Sequence, residues 1–192
     1  MDLEESITRF CEALERHSIR YVIGGSVASG IWGEPRQTND VDVEVWVGRQ
    51  NAAEFLSAMS SYLVSEQGLE EALSSDYFPE VQVVDEDSML RFDCFLQLES
   101  DPFATECFER SALVELVTKR PVRVASAGEI LLQKLRWYEI GHRVSQRQRR
   151  DLNGILRAEP EIEWTFVTRW AERFGLDALL DEIRREAGLG HS

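Results

Sequence analysis

The chain has 192 residues and a mass of 22.0 kDa, enough for one domain or one domain with a small helical appendage. Hydrophobic residues at 43% and charged residues at 29% exclude a disordered or fibrous polypeptide. The net charge of −14 is unevenly spread. Residues 1–118 hold 7 Lys and Arg against 24 Asp and Glu, and residues 119–150 hold 9 against 2. A local basic face can hold phosphates even on an acidic protein, but a solvated helix face has the same composition. No apolar run approaches the roughly 20 residues that a bilayer requires, so no membrane span is expected. The acidic start Met1-Asp2-Leu3-Glu4-Glu5 is unlike a secretory signal. Cys11, Cys94 and Cys107 form neither a CxxC pair nor a disulfide framework, so a cytoplasmic protein with reduced thiols is expected.

In chain order, Leu3, Ile7, Phe10, Cys11 and Leu14 form one stripe of an amphipathic helix ending near His17. Ile19 to Ile23 reads as a strand broken by Gly24-Gly25, and Ser26 to Trp32 as a short helix that Gly33-Glu34-Pro35 ends. Asp40 to Val47 alternates strictly and is the clearest strand; a helix over about 51–64 follows. Val81–Val84 and Leu90–Leu98 read as a strand pair joined by the acidic turn Asp85-Glu86-Asp87. Phe103 to Val117 reads as a helix leading into a strand, and Pro121–Val124 is extended. Ser126 with Glu129 three residues on is a capping box opening a helix to about Tyr138, stopped at Gly141. Further helices are expected over 146–157, 163–174 and 177–187. The whole is an α/β (α+β) chain: a core over 1–125 with a small mixed sheet flanked by helices, and a helical region over 126–192 packed on it.

On the strand Asp40–Val47 the valines point one way and Asp40, Asp42, Glu44 and Trp46 the other. Asp40 and Asp42 thus share a face about 7 Å apart at a rise of about 3.3 Å per residue, a spacing at which carboxylates converge on hard cations such as Mg2+. An exposed acidic sheet face has the same pattern. In Arg91-Phe92-Asp93-Cys94-Phe95, Phe92 and Cys94 form the apolar face and leave Asp93 opposite, although aspartate is disfavoured in strands. Upstream, the glycine pair Gly24-Gly25 and the hydroxyl of Ser26 open a helix, a local pattern suited to phosphate. A phosphate cradle and metal-binding acids are the two halves of a phosphoryl-transfer site. There is no Walker loop. Lys134 lies beside the apolar face of its helix, where it fits either a snorkelling stem or a charge facing a triphosphate. Arg36 and Thr38 fit phosphate contacts and loop-shaping equally. Trp137, Tyr138, Trp164 and Trp170 read as core packing, and the isolated His17, His142 and His191 argue against zinc.

These residues resemble the nucleotidyltransferase superfamily whose best known member is DNA polymerase beta: Gly24-Gly25-Ser26, a 13-residue spacer after Ser26, Asp40-Val41-Asp42 on a strand, and Asp93 on a later one. From about residue 5 to 180 the chain is also similar to small bacterial nucleotidyltransferase-like proteins related to abortive-infection E-type toxins of toxin–antitoxin systems. Lys134 and Arg150-Asp151 match that family's downstream motif, whereas Gly154 stands where the toxins carry an acid. The resemblance implies the nucleotidyltransferase fold and transfer of a nucleoside monophosphate from a nucleoside triphosphate such as ATP to an acceptor hydroxyl that the sequence leaves open among an RNA end, a protein, an antibiotic and a nucleotide. It implies two Mg2+ ions on Asp40, Asp42 and Asp93, and these three with Lys134 are the implied catalytic residues. Gly24, Gly25, Ser26, Arg36, Thr38, Arg150 and Asp151 are the implied nucleotide and phosphate contacts, and an antitoxin is an implied partner. A non-catalytic interaction module on the same fold is the alternative.

Overall fold

The structure is a computed structural model, which describes residues 3–75, 79–116, 118–158 and 161–189. Met1, Asp2, Val117 and His191, on which parts of the sequence reading fall, lie outside the described residues. The chain divides into two compact units, residues 1–24 with 38–124 and residues 25–37 with 125–192.

The first unit holds a seven-stranded mixed sheet. Its strands are β1 (Tyr21–Ile23), β2 (Asp40–Val45), β3 (Leu63–Val64), β4 (Glu80–Val84), β5 (Arg91–Leu96), β6 (Ala112–Glu115) and β7 (Pro121–Val124). They lie in the order β3-β4-β5-β2-β1-β7-β6. The β2–β5 and β1–β7 pairs are parallel and the other pairs antiparallel. Strict alternation governs the central strands: Val41, Val43, Val45, Phe92, Cys94, Val81 and Val83 are buried on one face. Helix α1 (Leu3–Arg16) turns its apolar stripe onto that face, where the Phe10 ring stacks on Phe92 with centroids 3.9 Å apart. Burial of such side chains contributes about 1.5–3 kcal/mol each.

Three short helices complete this unit: α3 (Ala52–Ala58), α4 (Glu66–Leu73) and α5 (Pro102–Arg110). The continuous helix expected over 51–64 is shorter than its pattern. It ends at Ala58, and Leu63–Val64 pair with Val83–Val84 as an edge strand. Asp101 caps α5, its carboxylate accepting from the Phe103 and Ala104 amides, with Pro102 at the first helical position. The Arg9 guanidinium reaches from α1 to the turn between β4 and β5 and donates to both carboxylate oxygens of buried Asp85, each at 2.6 Å.

The second unit is helical: α2 (Gly25–Trp32), α6 (Ala127–Ile140), α7 (Gln146–Arg157), α8 (Trp164–Phe174) and α9 (Asp177–Glu186). Ser126 and Ser145 cap α6 and α7, their hydroxyls accepting from the Glu129 and Gln148 amides. Leu131, Leu132, Leu135, Leu152, Ile155, Phe166, Val167, Leu179 and Ile183 are buried here. Two glycines permit close approach. A Cβ on Gly128 of α6 would meet Val167 of α8 at 3.0 Å, and one on Gly33 would meet the Ile155 backbone nitrogen of α7 at 2.8 Å. The segment 25–37, expected with the N-terminal core, thus groups with the C-terminal helices, and α2 packs on α6 and α7. No helix among the described residues is long and apolar enough to cross a membrane.

Candidate active site

The outward face of the sheet's centre is built by register. In the parallel β2–β5 pair, Asp40 lies opposite Arg91, Asp42 opposite Asp93 and Glu44 opposite Phe95. Opposed residues share a face, so the three aspartates predicted from sequence lie together on the side away from the Phe10–Phe92 core. In the antiparallel β4–β5 pair, Gln82 lies opposite Asp93 and Glu80 opposite Phe95. The face therefore carries Asp40, Asp42, Glu44, Glu80 and Asp93, with Arg91 among them. Like charges directly opposite one another weaken a sheet, so the Asp42–Asp93 pair is a local cost, whereas Asp40 faces the opposite charge of Arg91.

Two neighbours hold Asp40. The Thr38 hydroxyl donates to Asp40 Oδ1 at 2.8 Å, so Thr38 shapes the approach to β2 and fixes the carboxylate. Arg91 Nη2 donates to Asp40 Oδ2 at 3.1 Å and to Asp93 Oδ2 at 3.1 Å, bridging the two acids. Arg91 Nε lies 2.8 Å from Asp93 Oδ1 as an ion pair, yet without hydrogen-bond alignment, which leaves buried Asp93 Oδ1 with no hydrogen-bond donor. Hydrogen bonding to Asp93 raises the Arg91 pKa further above its usual value, with the Asp93 and Asp40 charges adding to it against partial desolvation. Nothing in the sequence reading marked Arg91. Its signal was the pattern Arg-Phe-Asp, which places both charged residues on one strand face two positions apart.

The donor set fits a divalent cation of the hard, oxygen-preferring kind. Asp93 Oδ1 is buried and lacks a donor, and a guanidinium already spans Asp40 and Asp93 as a stand-in positive charge. Among the described residues no three His, Cys, Asp or Glu side chains close into a cage. Mg2+ does not require one, since it commonly takes one or two carboxylates and completes its shell with water and substrate phosphates. Gly24 ends the first unit opposite this row, its amide donating to the Asp42 carbonyl at 2.9 Å.

In the second unit, Gly25 has φ 55°, a left-handed turn from strand to helix that favours glycine. Ser26 in the first turn of α2 is buried, and its carbonyl accepts from the Ser29 hydroxyl at 3.2 Å. Lys134 of α6 and Asp151 of α7, both buried, form an ion pair at 2.9 Å. Arg36 adds its Nε 3.5 Å from the other Asp151 oxygen, so Lys134 and one expected phosphate contact, Arg36, converge on another, Asp151. Arg150 stands apart: it is 75% exposed and donates to Glu34 at 3.3 Å. Gly154 lies against Glu34, whose Cγ a Cβ there would meet at 3.4 Å.

Comparison with solved structures places this architecture. The antibiotic-resistance factor ANT(2'')-Ia in solution matches with a TM-score of 0.60 at 17% identity, over 93% of this chain and 96% of that one. ANT(2")-Ia in complex with adenylyl-2"-tobramycin matches with a TM-score of 0.54 at 13% identity, over 95% and 97%. An antigenic nucleotidyltransferase-like protein from Paracoccidioides brasiliensis matches with a TM-score of 0.51 at 15% identity, over 93% and 91%. The fold is a nucleotidyltransferase fold. No protein-family model matches the chain, and neither does any curated protein sequence.

Proposed function

We propose that this chain is a Mg2+-dependent nucleotidyltransferase that moves a nucleoside monophosphate from a nucleoside triphosphate to an acceptor hydroxyl. The observation that carries this reading is the register that sets Asp42 beside Asp93, with Asp40 two residues earlier on the same outward face. Asp40, Asp42 and Asp93 would hold the metal, which when bound offsets triphosphate charge and lowers the pKa of the attacking hydroxyl. Thr38 keeps the Asp40 carboxylate aimed. Asp93, buried and anchored in mid-strand, accepts the acceptor's proton as general base. The acceptor oxygen bonds to the α-phosphorus, the bond from that phosphorus to the bridging oxygen breaks, and pyrophosphate leaves. Gly24, Gly25 and Ser26 are assigned to the β- and γ-phosphates. Lys134 and Arg36, which Asp151 holds, are assigned to the charge of the departing pyrophosphate, while Arg150, paired with Glu34, would have to leave that contact to join them.

The carboxylates Glu44 and Glu80 extend the acidic row and favour an acceptor that carries amino groups over a polyanion. An aminoglycoside, the class whose adenylylated product one structural neighbour holds, is therefore the first acceptor to test. Bulk RNA, protein hydroxyls and a co-encoded antitoxin form the comparison arms. Transfer of label from α-labelled triphosphates should occur in the presence of Mg2+ and fall by at least about 100-fold in Asp42→Asn, as expected for loss of an electrostatic contact to the transition state. A wild-type chain that neither transfers label nor binds Mg2+-nucleotide at millimolar concentration in calorimetry would overturn the reading. The Arg91 bridge favours a second reading, a non-catalytic module whose acids are permanently neutralised, and that same calorimetric result would support it.

A further inference from the structure

Resting on the proposed nucleotidyl transfer, we propose that Arg91 is a displaceable counter-ion that exchanges carboxylates for phosphate: it neutralises Asp40 and Asp93 before substrate arrives, and on metal-triphosphate binding its guanidinium moves to the triphosphate oxygens. Three features of the side chain support this. Arg91 bridges two acids on different strands, Asp40 at 3.1 Å and Asp93 at 2.8 Å, and so holds the place of positive charge on the face. Its side chain is 43% exposed, like Asp40 at 42%, while Asp93 is 12% exposed, so the arginine has a path into solvent that Asp93 lacks. The contact with Asp93 Oδ1 is short but misaligned, so the guanidinium satisfies the charge of that oxygen and not its hydrogen-bonding capacity.

The exchange follows from the chemistry of the groups. Hard carboxylate oxygens gain more from a divalent cation than from a diffuse monovalent guanidinium. A guanidinium released beside a triphosphate finds acceptors that match its planar fork and forms charge-assisted pairs with them. No bond is made or broken in this step. One cation leaves the acids as the metal enters, and the arginine remains on the face as a phosphate contact. Arg91 would then be a substrate-binding residue whose resting contacts lower metal affinity until nucleotide is present, coupling the two ligands reciprocally.

The test is Mn2+ binding by paramagnetic resonance on wild type, Arg91→Met and Arg91→Lys, with and without a non-hydrolysable nucleoside triphosphate. The expected result is that Arg91→Met binds Mn2+ alone at least about 5-fold tighter than wild type, because its competitor is gone. The same variant should bind Mn2+-nucleotide at least about 10-fold more weakly, with Arg91→Lys between the two, since lysine keeps the charge and loses the fork. Melting in EDTA should show a lower Tm for Arg91→Met that Mg2+ restores by a larger shift than in wild type. Equal or weaker Mn2+ binding by a folded Arg91→Met, or unchanged nucleotide affinity, overturns the role of Arg91 while leaving the metal site intact. Failure of wild type to bind Mn2+ with or without nucleotide overturns the metal reading and this proposal together.

Discussion

Asp85, just past the end of β4, and Asp93, within β5, are two buried carboxylates with different surroundings. Asp85 is saturated: Arg9 donates to both of its oxygens, the Ser88 hydroxyl donates at 2.7 Å and the Asp87 amide at 3.2 Å. Burial pulls its pKa up, but Ser88, Arg9 and Asp87 together outweigh that and hold it below the usual 3.8. A lowered carboxylate contributes stability that is present above the unfolded-state value and lost as the pH falls through the folded one. Asp85→Asn is therefore expected to destabilise by about 1–3 kcal/mol near neutrality, and to flatten the decline in urea midpoint below about pH 4. Urea melts of both proteins from about pH 3 to pH 7 measure this. Asp93, by contrast, is met by Arg91: one oxygen accepts from Nη2 at 3.1 Å, and the other lies 2.8 Å from Nε as an ion pair without hydrogen-bond alignment. The sequence revealed that Asp93 faces away from the core, because strand alternation is local. It did not reveal that Arg91 would bridge to Asp40, because that contact spans 51 positions and depends on parallel pairing.

Elements with strong local signals were legible. The alternating run at β2 and the helices α6 to α9 follow from periodicity, with Ser126 the expected cap of α6; the Ser145 cap of α7 is an addition of the structure. What was missed lacked such signals. Helix α4 buries only Leu69 and Ala72, is rich in glutamate and contains Gly68, so its pattern does not stand out from a loop. Strand β3 has two residues and exists because β4 offers it an edge. The Gly33 contact is also invisible locally, since the neighbour it accommodates is the α7 backbone. Gly33→Ala is expected to destabilise by about 1–3 kcal/mol as that backbone shifts, read as a lower Tm by circular dichroism. Gly175→Ala serves as the contrast: a Cβ there meets nothing within 4 Å, so only the cost of its φ of 67° applies.

The chain passes between its two units at residues 24–25, 37–38 and 124–125, so neither unit is a single continuous segment. A boundary near 125, where strands give way to helices, is visible in the sequence. The grouping of 25–37 with the later helices is not, because it rests on the packing of α2 against α6 and α7. Removing α2 strips apolar cover from those helices. A fragment of residues 125–192 is accordingly expected to lack a cooperative thermal transition and to bind a hydrophobic dye, whereas adding 25–37 through a short linker should restore cooperativity. Calorimetry and dye fluorescence of the two fragments check this.

Parallel pairing of β2 with β5 has a consequence during synthesis. A growing polypeptide that has left the ribosome only as far as Ser88 contains Asp40 and Asp42 but has not yet made the strand that carries Asp93. Under the proposed function, a product that ends before β5 would lack Asp93 and could not bring it beside Asp42 on the sheet face.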